Sequence, residues 1–174
     1  MHIRKAAPVD TDGIMTVIEE ARRTIAALGI DQWQNGSPNR AMIEEDIALG
    51  QGYCVEEEGA VIGTFALISD GEPTYDRICD GTWLTEDRDP VGFPSYVAIH
   101  RVAISVARRG SGVSTAIIEH AAEYAKRTGR ASLRIETHRG NAVMRRMLAK
   151  HGFVHCGTIH LQTGDERVAY EKLL

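Results

Sequence analysis

Apolar residues recur along the chain with two different spacings. Between Ile14 and Leu28 they lie three or four positions apart, the spacing of one helix face, and Asp10 or Thr11 precedes them as a candidate N-cap. Shorter apolar or alternating runs bounded by Gly, Pro or Asp predict β-strands. Together the two patterns predict helices at 11–28, 42–47, 112–127 and 141–150, and strands at 2–6, 53–57, 61–68, 96–104, 131–136, 153–161 and 167–172. Strands joined both by tight turns and by helices predict an α+β fold, with a mixed central sheet flanked by helices.

The segment at 70–94 interrupts this pattern. It is rich in Gly, Asp and Pro and has no clear periodicity, and a connection of that length inside a compact domain is commonly functional or mobile. The rest of the chain contains no internal repeat and no linker-like stretch. With 43% hydrophobic residues in 174, the chain is predicted to form one domain over residues 1–174.

A glycine-containing loop follows the predicted strand at 96–104 and leads directly into a helix. Gly110 and Gly112 have no Cβ, so an anion can approach their backbone N–H groups closely. The helix that follows presents unpaired N–H groups at the positive end of its dipole, and Arg108 and Arg109 add positive charge. The loop is therefore a candidate phosphate site, although a short glycine pair is also common in an ordinary β-to-α turn.

Two familiar nucleotide-binding loops are excluded at this position. A Walker loop ends in Gly-Lys-Ser or Gly-Lys-Thr, which is missing here. A dinucleotide fingerprint needs a third glycine where this chain has Thr115. The loop by itself does not identify which phosphate it binds.

From Arg101 to Phe153 the chain resembles the GNAT superfamily of acyl-CoA-dependent N-acyltransferases. That family's pyrophosphate loop runs Arg or Gln, two residues, Gly, one residue, then Gly or Ala; here Arg109 and Gly112 match, and Ser114 departs from the last position. About thirty residues later the family has an Asn at a helix start and Gly-Phe at the helix end, as at 141 and 152–153 here. The segments 29–36 and 63–68 also resemble one branch of the superfamily, so the resemblance covers nearly the whole chain.

The resemblance implies the GNAT fold and acetyl-CoA as co-substrate. In the family, the pantetheine arm hydrogen-bonds to the backbone of the strand before the loop, and the loop binds the pyrophosphate. The implied cofactor-binding residues are Val102, Ala103, Ile104, Arg109, Gly110, Ser111, Gly112, Val113, Ser114, Thr115 and Asn141. Asn141 has a competing interpretation as a helix N-cap, a role that Asn commonly fills.

Three residues are candidates for the catalytic base. Glu136 ends a predicted strand and resembles the proton-accepting carboxylate of the family's ribosomal-protein alanine acetyltransferase branch; alternatively it pairs with Arg101 or Arg134. His100 and His138 are rivals, because an imidazole titrates near neutral pH, although single histidines are more often structural.

The usual general acid of the family is absent. Many relatives have a Tyr seven residues after the motif Asn, where its hydroxyl can protonate the departing thiolate. Here that position is Leu148, which has no proton to donate. Tyr96, Cys156 or water remain as donors, or no donor is needed.

The acceptor is predicted to contact the loop after the first helix. Relatives bind it among the first helices, the long loop and the last hairpin, which indicates Trp33, Gln34 and Asn35 as substrate-binding residues, with Tyr75 and Trp83 of the long loop as further candidates. Trp33 has the alternative role of filling the core between helices. A small-molecule or peptide amine is the expected partner.

Charge and composition narrow the class of partner. A net charge of −4 and a pI of about 6.0 argue against nucleic acid as the main partner. Three widely spaced cysteines have no metal-binding spacing, so we expect no metal and a reducing compartment. No apolar run approaches 18 residues and the N-terminus has no signal core, which predicts a cytoplasmic protein away from the membrane.

The sequence thus predicts an N-acetyltransferase that transfers the acetyl group directly to a primary amine in a ternary complex. No residue is placed to act as a covalent nucleophile. Two alternatives stay open: a non-catalytic acyl-CoA-binding regulatory module, which the Leu at 148 permits, and a self-standing dimeric scaffold. A homodimer is compatible with all three hypotheses.

Overall fold

A computed structural model describes all residues from Met1 to Leu174. It contains seven strands and four helices: β1 His2–Lys5, β2 Gly52–Glu57, β3 Ala60–Ile68, β4 Tyr96–Ile104, β5 Ser132–Thr137, β6 Val154–His160 and β7 Glu166–Leu173, with α1 Thr11–Ala27, α2 Arg40–Ala48, α3 Val113–Arg127 and α4 Ala142–Lys150. The strands form one sheet in the order β1-β2-β3-β4-β5-β7-β6. Parallel pairing of β4 with β5, next to antiparallel pairs such as β5 with β7, makes the sheet mixed, as predicted. No helix is both long enough and apolar enough to cross a membrane.

Local sequence signals account for most of the element ends. The β2–β3 hairpin turns at Glu58 and Gly59, which both have positive φ (52° and 80°), as the tightest hairpin turns require. Asp10, a predicted N-cap of α1, makes no capping hydrogen bond there. Its carboxylate instead accepts two hydrogen bonds from Arg4 (2.7 and 2.8 Å) and so ties β1 to the start of α1.

The contacts divide the chain into two compact units. One comprises Met1–Leu67 and Arg101–Ile117, and the other comprises Ile68–His100 and Ile118–Leu174. In the first unit, the apolar face of α1 forms a core with residues of α2, β2 and β4, namely Ile14, Val17, Ile18, Ile43, Cys54 and Ala103. The helical spacing of apolar residues therefore identified this core correctly. Whether residues 1–174 act as a single domain stays a prediction.

The second unit buries part of the long loop at 70–94. Tyr75 is fully buried and Trp83 is nearly so, and both pack with Tyr96 and with apolar residues of β6 and β7. The Trp83 indole N–H donates to the carbonyl of Tyr75 (2.9 Å). Two residues that the sequence indicated for acceptor binding therefore belong to the core, because the loop folds inward at these side chains.

A buried ion pair holds this loop on the sheet. Arg134 of β5 and Glu171 of β7 are both fully buried, and the Arg134 Nε donates to Glu171 Oε1 (3.1 Å). Arg134 also donates to the Asp87 carboxylate (2.6 Å) and the Thr85 carbonyl (2.7 Å), and Glu171 accepts from the Leu84 N–H (2.5 Å). We call Arg134 and Glu171 the loop anchor.

Two aromatic rings enclose the charged end of the loop anchor. The Arg134 guanidinium lies 4.3 Å from the ring centroid of Trp83 and 4.1 Å from that of Tyr96. Cation–π contacts of this kind compensate part of the cost of burying the charge. A segment without apolar periodicity is thus held in place by one charge network.

Candidate active site

The parallel pairing of β4 with β5 ends before either strand does. The paired residues run from Tyr96 with Ser132 to Ala98 with Arg134, whereas β4 continues to Ile104 and β5 to Thr137. Backbone groups of parallel strands normally hydrogen-bond along the whole pair. The later part of β4, including Val102, Ala103 and Ile104, therefore has no pairing hydrogen bonds from β5.

The backbone of β4 has an unusual conformation soon after the last pair. Arg101 has φ of 55°, in the left-handed region that side-chain-bearing residues seldom adopt. Its guanidinium forms two hydrogen bonds with the Asp46 carboxylate of α2 (2.6 and 2.5 Å). Arg134, for its part, pairs with Asp87 and with Glu171.

The predicted phosphate loop has the open backbone that an anion needs. Gly110 and Gly112 have φ of 76° and 88°, and a Cβ added to either would meet no atom within 4 Å. The first helix-type hydrogen bond runs from Ala116 N to Gly112 O (3.1 Å), so the amides of residues 112–115 precede the helical ladder. The first turn of α3 contains no acidic residue. The positive end of the helix dipole is therefore uncompensated here.

The two arginines beside this loop are held by other side chains. Arg108 pairs with Glu57, and Arg109 donates to the Thr24 hydroxyl of α1 (2.7 Å). The Ser111 hydroxyl donates to the Arg108 carbonyl (2.7 Å), which closes the turn. Val113 is buried, and Ser114 and Thr115 are half-buried at the start of α3.

A histidine between two carboxylates lies where β4 and β5 stop pairing. Nε2 of His100 lies 3.0 Å from Oε2 of Glu72, and Nδ1 lies 3.9 Å from Oε1 of Glu136. The side chains of these three residues are only 13–16% exposed. We call Glu72, His100 and Glu136 the carboxylate–histidine cluster.

The loop at 70–94 provides Glu72 and closes one side of this cluster. Burial by itself raises the pKa of the Glu72 carboxyl group, but the contact with His100 and the hydrogen bonds from Thr74 outweigh it and lower the pKa from 4.5 to about 2. Tyr75 stacks on the His100 ring at 5.8 Å between centroids. Burial, reinforced by the charges of Glu136 and Glu72, raises the pKa of the Tyr75 hydroxyl well above its ordinary value. Glu72 is therefore an anion at neutral pH and Tyr75 is a neutral phenol.

Glu72 is the residue of this cluster that sequence reasoning missed. It precedes Pro73 within a segment that has several other acidic residues and no periodicity. Nothing in the local pattern separates it from its neighbours, because its partner His100 is on a strand that follows the whole loop.

His138 and Asn141 both have local structural roles. Nδ1 of His138 accepts a hydrogen bond from the Gly140 N–H (3.0 Å) within the turn after β5. Oδ1 of Asn141 accepts from the Met144 N–H (3.1 Å), which confirms the N-cap interpretation. The cofactor contact implied for Asn141 stays a prediction.

The residues predicted for acceptor binding shape their own loop. Trp33 is half-buried against the core of α1 and α2, and its carbonyl accepts from Arg22 Nε (2.9 Å). Gln34 donates to the carbonyls of Arg22 (3.1 Å) and Gln32 (3.0 Å), whereas Asn35 accepts from the Ser37 N–H (3.2 Å). Trp33 thus packs against the edge of this core, and the amide side chains of Gln34 and Asn35 both bond to backbone.

Leu148, which replaces the tyrosine of many relatives, lies inside the second unit. Leu148 of α4 is fully buried. Its side chain fills the core, so this part of α4 contributes packing rather than a proton donor.

Structural comparison finds the same fold in solved acetyltransferases. A GNAT-family acetyltransferase from Streptococcus agalactiae 2603 matches with a TM-score of 0.86 and 36% identity, covering 99% of this chain and 95% of that one. A GNAT-family acetyltransferase from Listeria monocytogenes 4b F2365 matches with a TM-score of 0.69 and 23% identity, covering 99% and 94%. The PaiA N-acetyltransferase of Thermoplasma acidophilum, solved in complex with coenzyme A, matches with a TM-score of 0.71 and 16% identity, covering 99% and 98%. The fold is therefore that of an acyltransferase.

The sequence comparison identifies the family itself. The profile of the acetyltransferase (GNAT) family matches residues 16–153. The chain belongs to this family, as its loop and helix motifs predicted. Among curated proteins, none matches the chain significantly.

Proposed function

We propose that this protein transfers the acetyl group of acetyl-CoA directly to a primary amine within a ternary complex. The observation that carries the proposal is the carboxylate–histidine cluster at the point where β4 and β5 stop pairing. An amine acceptor arrives mainly as an ammonium ion and must lose a proton before it can attack a thioester. A half-buried carboxylate next to an imidazole supplies that function.

The phosphate loop fits the pyrophosphate of CoA. Its two open glycines and the amides of residues 112–115 offer N–H donors to an anion without steric obstruction. The backbone of Val102, Ala103 and Ile104, which has no pairing hydrogen bonds from β5, suits the extended pantetheine arm. Asn141 lies at the start of α4 as a further proposed contact.

Glu136 is the proposed base, with His100 beside it. Glu136 takes one proton from the ammonium group, the freed nitrogen attacks the thioester carbonyl, and the carbon–sulfur bond breaks. The CoA thiolate leaves with the electron pair of that bond. The attacking nitrogen gives its second proton to water as the neutral amide forms. His138 is the weaker candidate, because its Nδ1 accepts a hydrogen bond within the turn.

Trp33, Gln34 and Asn35 are proposed to border the acceptor through their loop. Gln34 and Asn35 are exposed, and their hydrogen bonds to backbone fix the loop conformation. We also place the protein in the cytoplasm as a proposal, since its three cysteines are all unpaired.

The replacement of Glu136 by Gln tests the proposal. Gln keeps the shape of the side chain but cannot accept a proton, so we expect thiol release to fall by roughly a hundredfold or more while CoA affinity is retained. The measurement is thiol release from acetyl-CoA over a panel of amines, amino acids and N-terminal peptides, with calorimetry for CoA binding. Glu119→Gln, at an exposed carboxylate of α3, is the matched control.

Two other results of the Glu136→Gln experiment would contradict the proposal. Full turnover in the Glu136→Gln variant would show that a group other than Glu136 accepts the proton from the ammonium ion. Tight binding of acetyl-CoA without thiol release from the wild type would instead favour the non-catalytic regulatory module.

Replacing Leu148 by Tyr is expected to affect folding more than catalysis. The larger ring must enter a filled core, which costs about 1–3 kcal/mol of the free energy of unfolding. Thiol release per folded molecule should change by less than about tenfold, because a CoA thiolate leaves without a donor at this position. Urea unfolding and the thiol assay measure the two effects, with Val143→Tyr at an exposed site of α4 as the control. Activity confined to the Leu148→Tyr variant would overturn the enzyme assignment.

A further inference from the structure

We propose that Glu72 is a positioning residue that orients His100, so that the proton taken up by Glu136 passes on to the imidazole. The inference rests on the proposed function and assigns a role to the loop at 70–94. The geometry of His100 carries it, since each ring nitrogen faces a different carboxylate.

Glu72 constrains the orientation of the His100 imidazole. Nε2 lies 3.0 Å from Oε2 of the ionised Glu72 carboxylate, outside hydrogen-bond geometry. A carboxylate this close repels a nitrogen lone pair, so the neutral ring carries its hydrogen on Nε2 and its lone pair on Nδ1. That lone pair faces Glu136. A carboxylate on the far nitrogen fixes the tautomer of a histidine in the same way in catalytic triads.

Glu72 is itself held in place by its neighbours. Its Oε1 accepts from both the N–H and the hydroxyl of Thr74 (3.1 and 2.8 Å), and its own N–H donates to the Tyr96 hydroxyl (3.0 Å). Tyr75 stacks on the imidazole from the same loop. Both in-plane rotation and tilting of the His100 ring are therefore restricted by this one segment.

The proton has a short route from Glu136 to His100. Glu136 becomes a neutral acid when it takes the proton from the ammonium group. The 3.9 Å gap to Nδ1 exceeds a direct hydrogen bond, so transfer uses one intervening water or an approach of about 1 Å. The O–H bond of Glu136 breaks, the Nδ1–H bond forms, and the resulting imidazolium lies between two carboxylates. Glu136 is then ionised again, and the imidazolium releases its proton to water before the next acceptor binds.

The loop anchor explains how a residue of the long loop, Glu72, can be held at a fixed distance from His100. Arg134 is two residues before Glu136 on β5, and it holds the loop through the carbonyl of Thr85 and the carboxylate of Asp87. The strand that provides Glu136 therefore also holds the segment that provides Glu72. A free loop of this length would not keep a carboxylate at a fixed distance from His100.

A double-mutant cycle tests the inference in the full-length protein. Glu72→Gln removes the charge and keeps the size, and we expect kcat to fall by at least about tenfold with little change in the KM for acetyl-CoA. In a His100→Asn background the same substitution should have little further effect, because Glu72 acts through His100. Glu86→Gln, an exposed carboxylate of the same loop, is the matched control. Equal losses in both backgrounds, or no loss in either, would overturn the inference.

A spectroscopic measurement tests the same inference without turnover. The ¹⁵N chemical shifts of His100, recorded at a pH where the ring is neutral, should show the hydrogen on Nε2 in the wild type and a loss of that preference in Glu72→Gln. Glu72→Asp should restore part of the preference. An unchanged tautomer in Glu72→Gln would overturn the positioning role. The proposed function would still stand if the wild type releases thiol and the Glu136→Gln variant loses that activity. A failure of the positioning role is therefore distinguishable from a failure of the proposed function.

Discussion

Gly112→Asp is expected to weaken CoA binding by about a thousandfold. The new carboxylate would lie against the pyrophosphate, and two like charges about 4 Å apart near a protein surface repel by about 4 kcal/mol. A Cβ at residue 112 meets no atom within 4 Å, so the protein itself has room for the side chain. Calorimetric titration of the purified variant with CoA measures the effect.

Gly112→Asn separates charge from backbone strain in this experiment. Asn has the same shape as Asp and faces the same positive φ of 88° at residue 112, but it has no charge. We therefore expect its CoA affinity to lie much closer to that of the wild type. Equal affinities for the Asp and Asn variants would show that the pyrophosphate binds elsewhere.

Arg134→Met is expected to lower the free energy of unfolding by about 3–5 kcal/mol. The substitution leaves the fully buried Glu171 carboxylate without its cationic partner, and an uncompensated buried charge is strongly destabilising. It also removes the contacts that hold Thr85 and Asp87 of the long loop. Urea unfolding followed by circular dichroism measures the change.

Arg139→Met provides the matched control for this prediction. Arg139 pairs with Glu166 at the surface, where water screens the interaction, so its loss should leave the midpoint of unfolding unchanged. Glu171→Leu should also cost less in the Arg134→Met background than in the wild type, since the two residues form one pair. Equal midpoints for the Arg134 and Arg139 variants would contradict the anchoring role of the buried pair.

The elements and the open backbone of the loop at 110–112 could be predicted because their signals are local. Apolar spacing identified the face of α1 that forms the first core. The open glycines at 110 and 112 follow from the identity of the residues themselves. In each case the side chains that determine the conformation are within a few positions of it.

The structure of the loop at 70–94 could not be predicted, because its interactions are with residues far away in the sequence. Tyr75 and Trp83 were expected at the acceptor site, yet both are in the core. The interaction that orders their segment joins it to Arg134 and Glu171, which come much later in the chain. The residue pattern within 70–94 therefore does not predict its contacts with Arg134 and Glu171.

The sequence by itself determined the fold class, the order of the elements, the family and the open glycine loop before α3, since each depends on the spacing of neighbouring residues or on a contiguous motif. Only the tertiary structure decided which carboxylates flank His100, that Leu148 is a core residue and that Arg101 pairs with Asp46. The physical reason is that distance and burial, which set the charge and orientation of these groups, depend on strands and loops that are far apart in the chain.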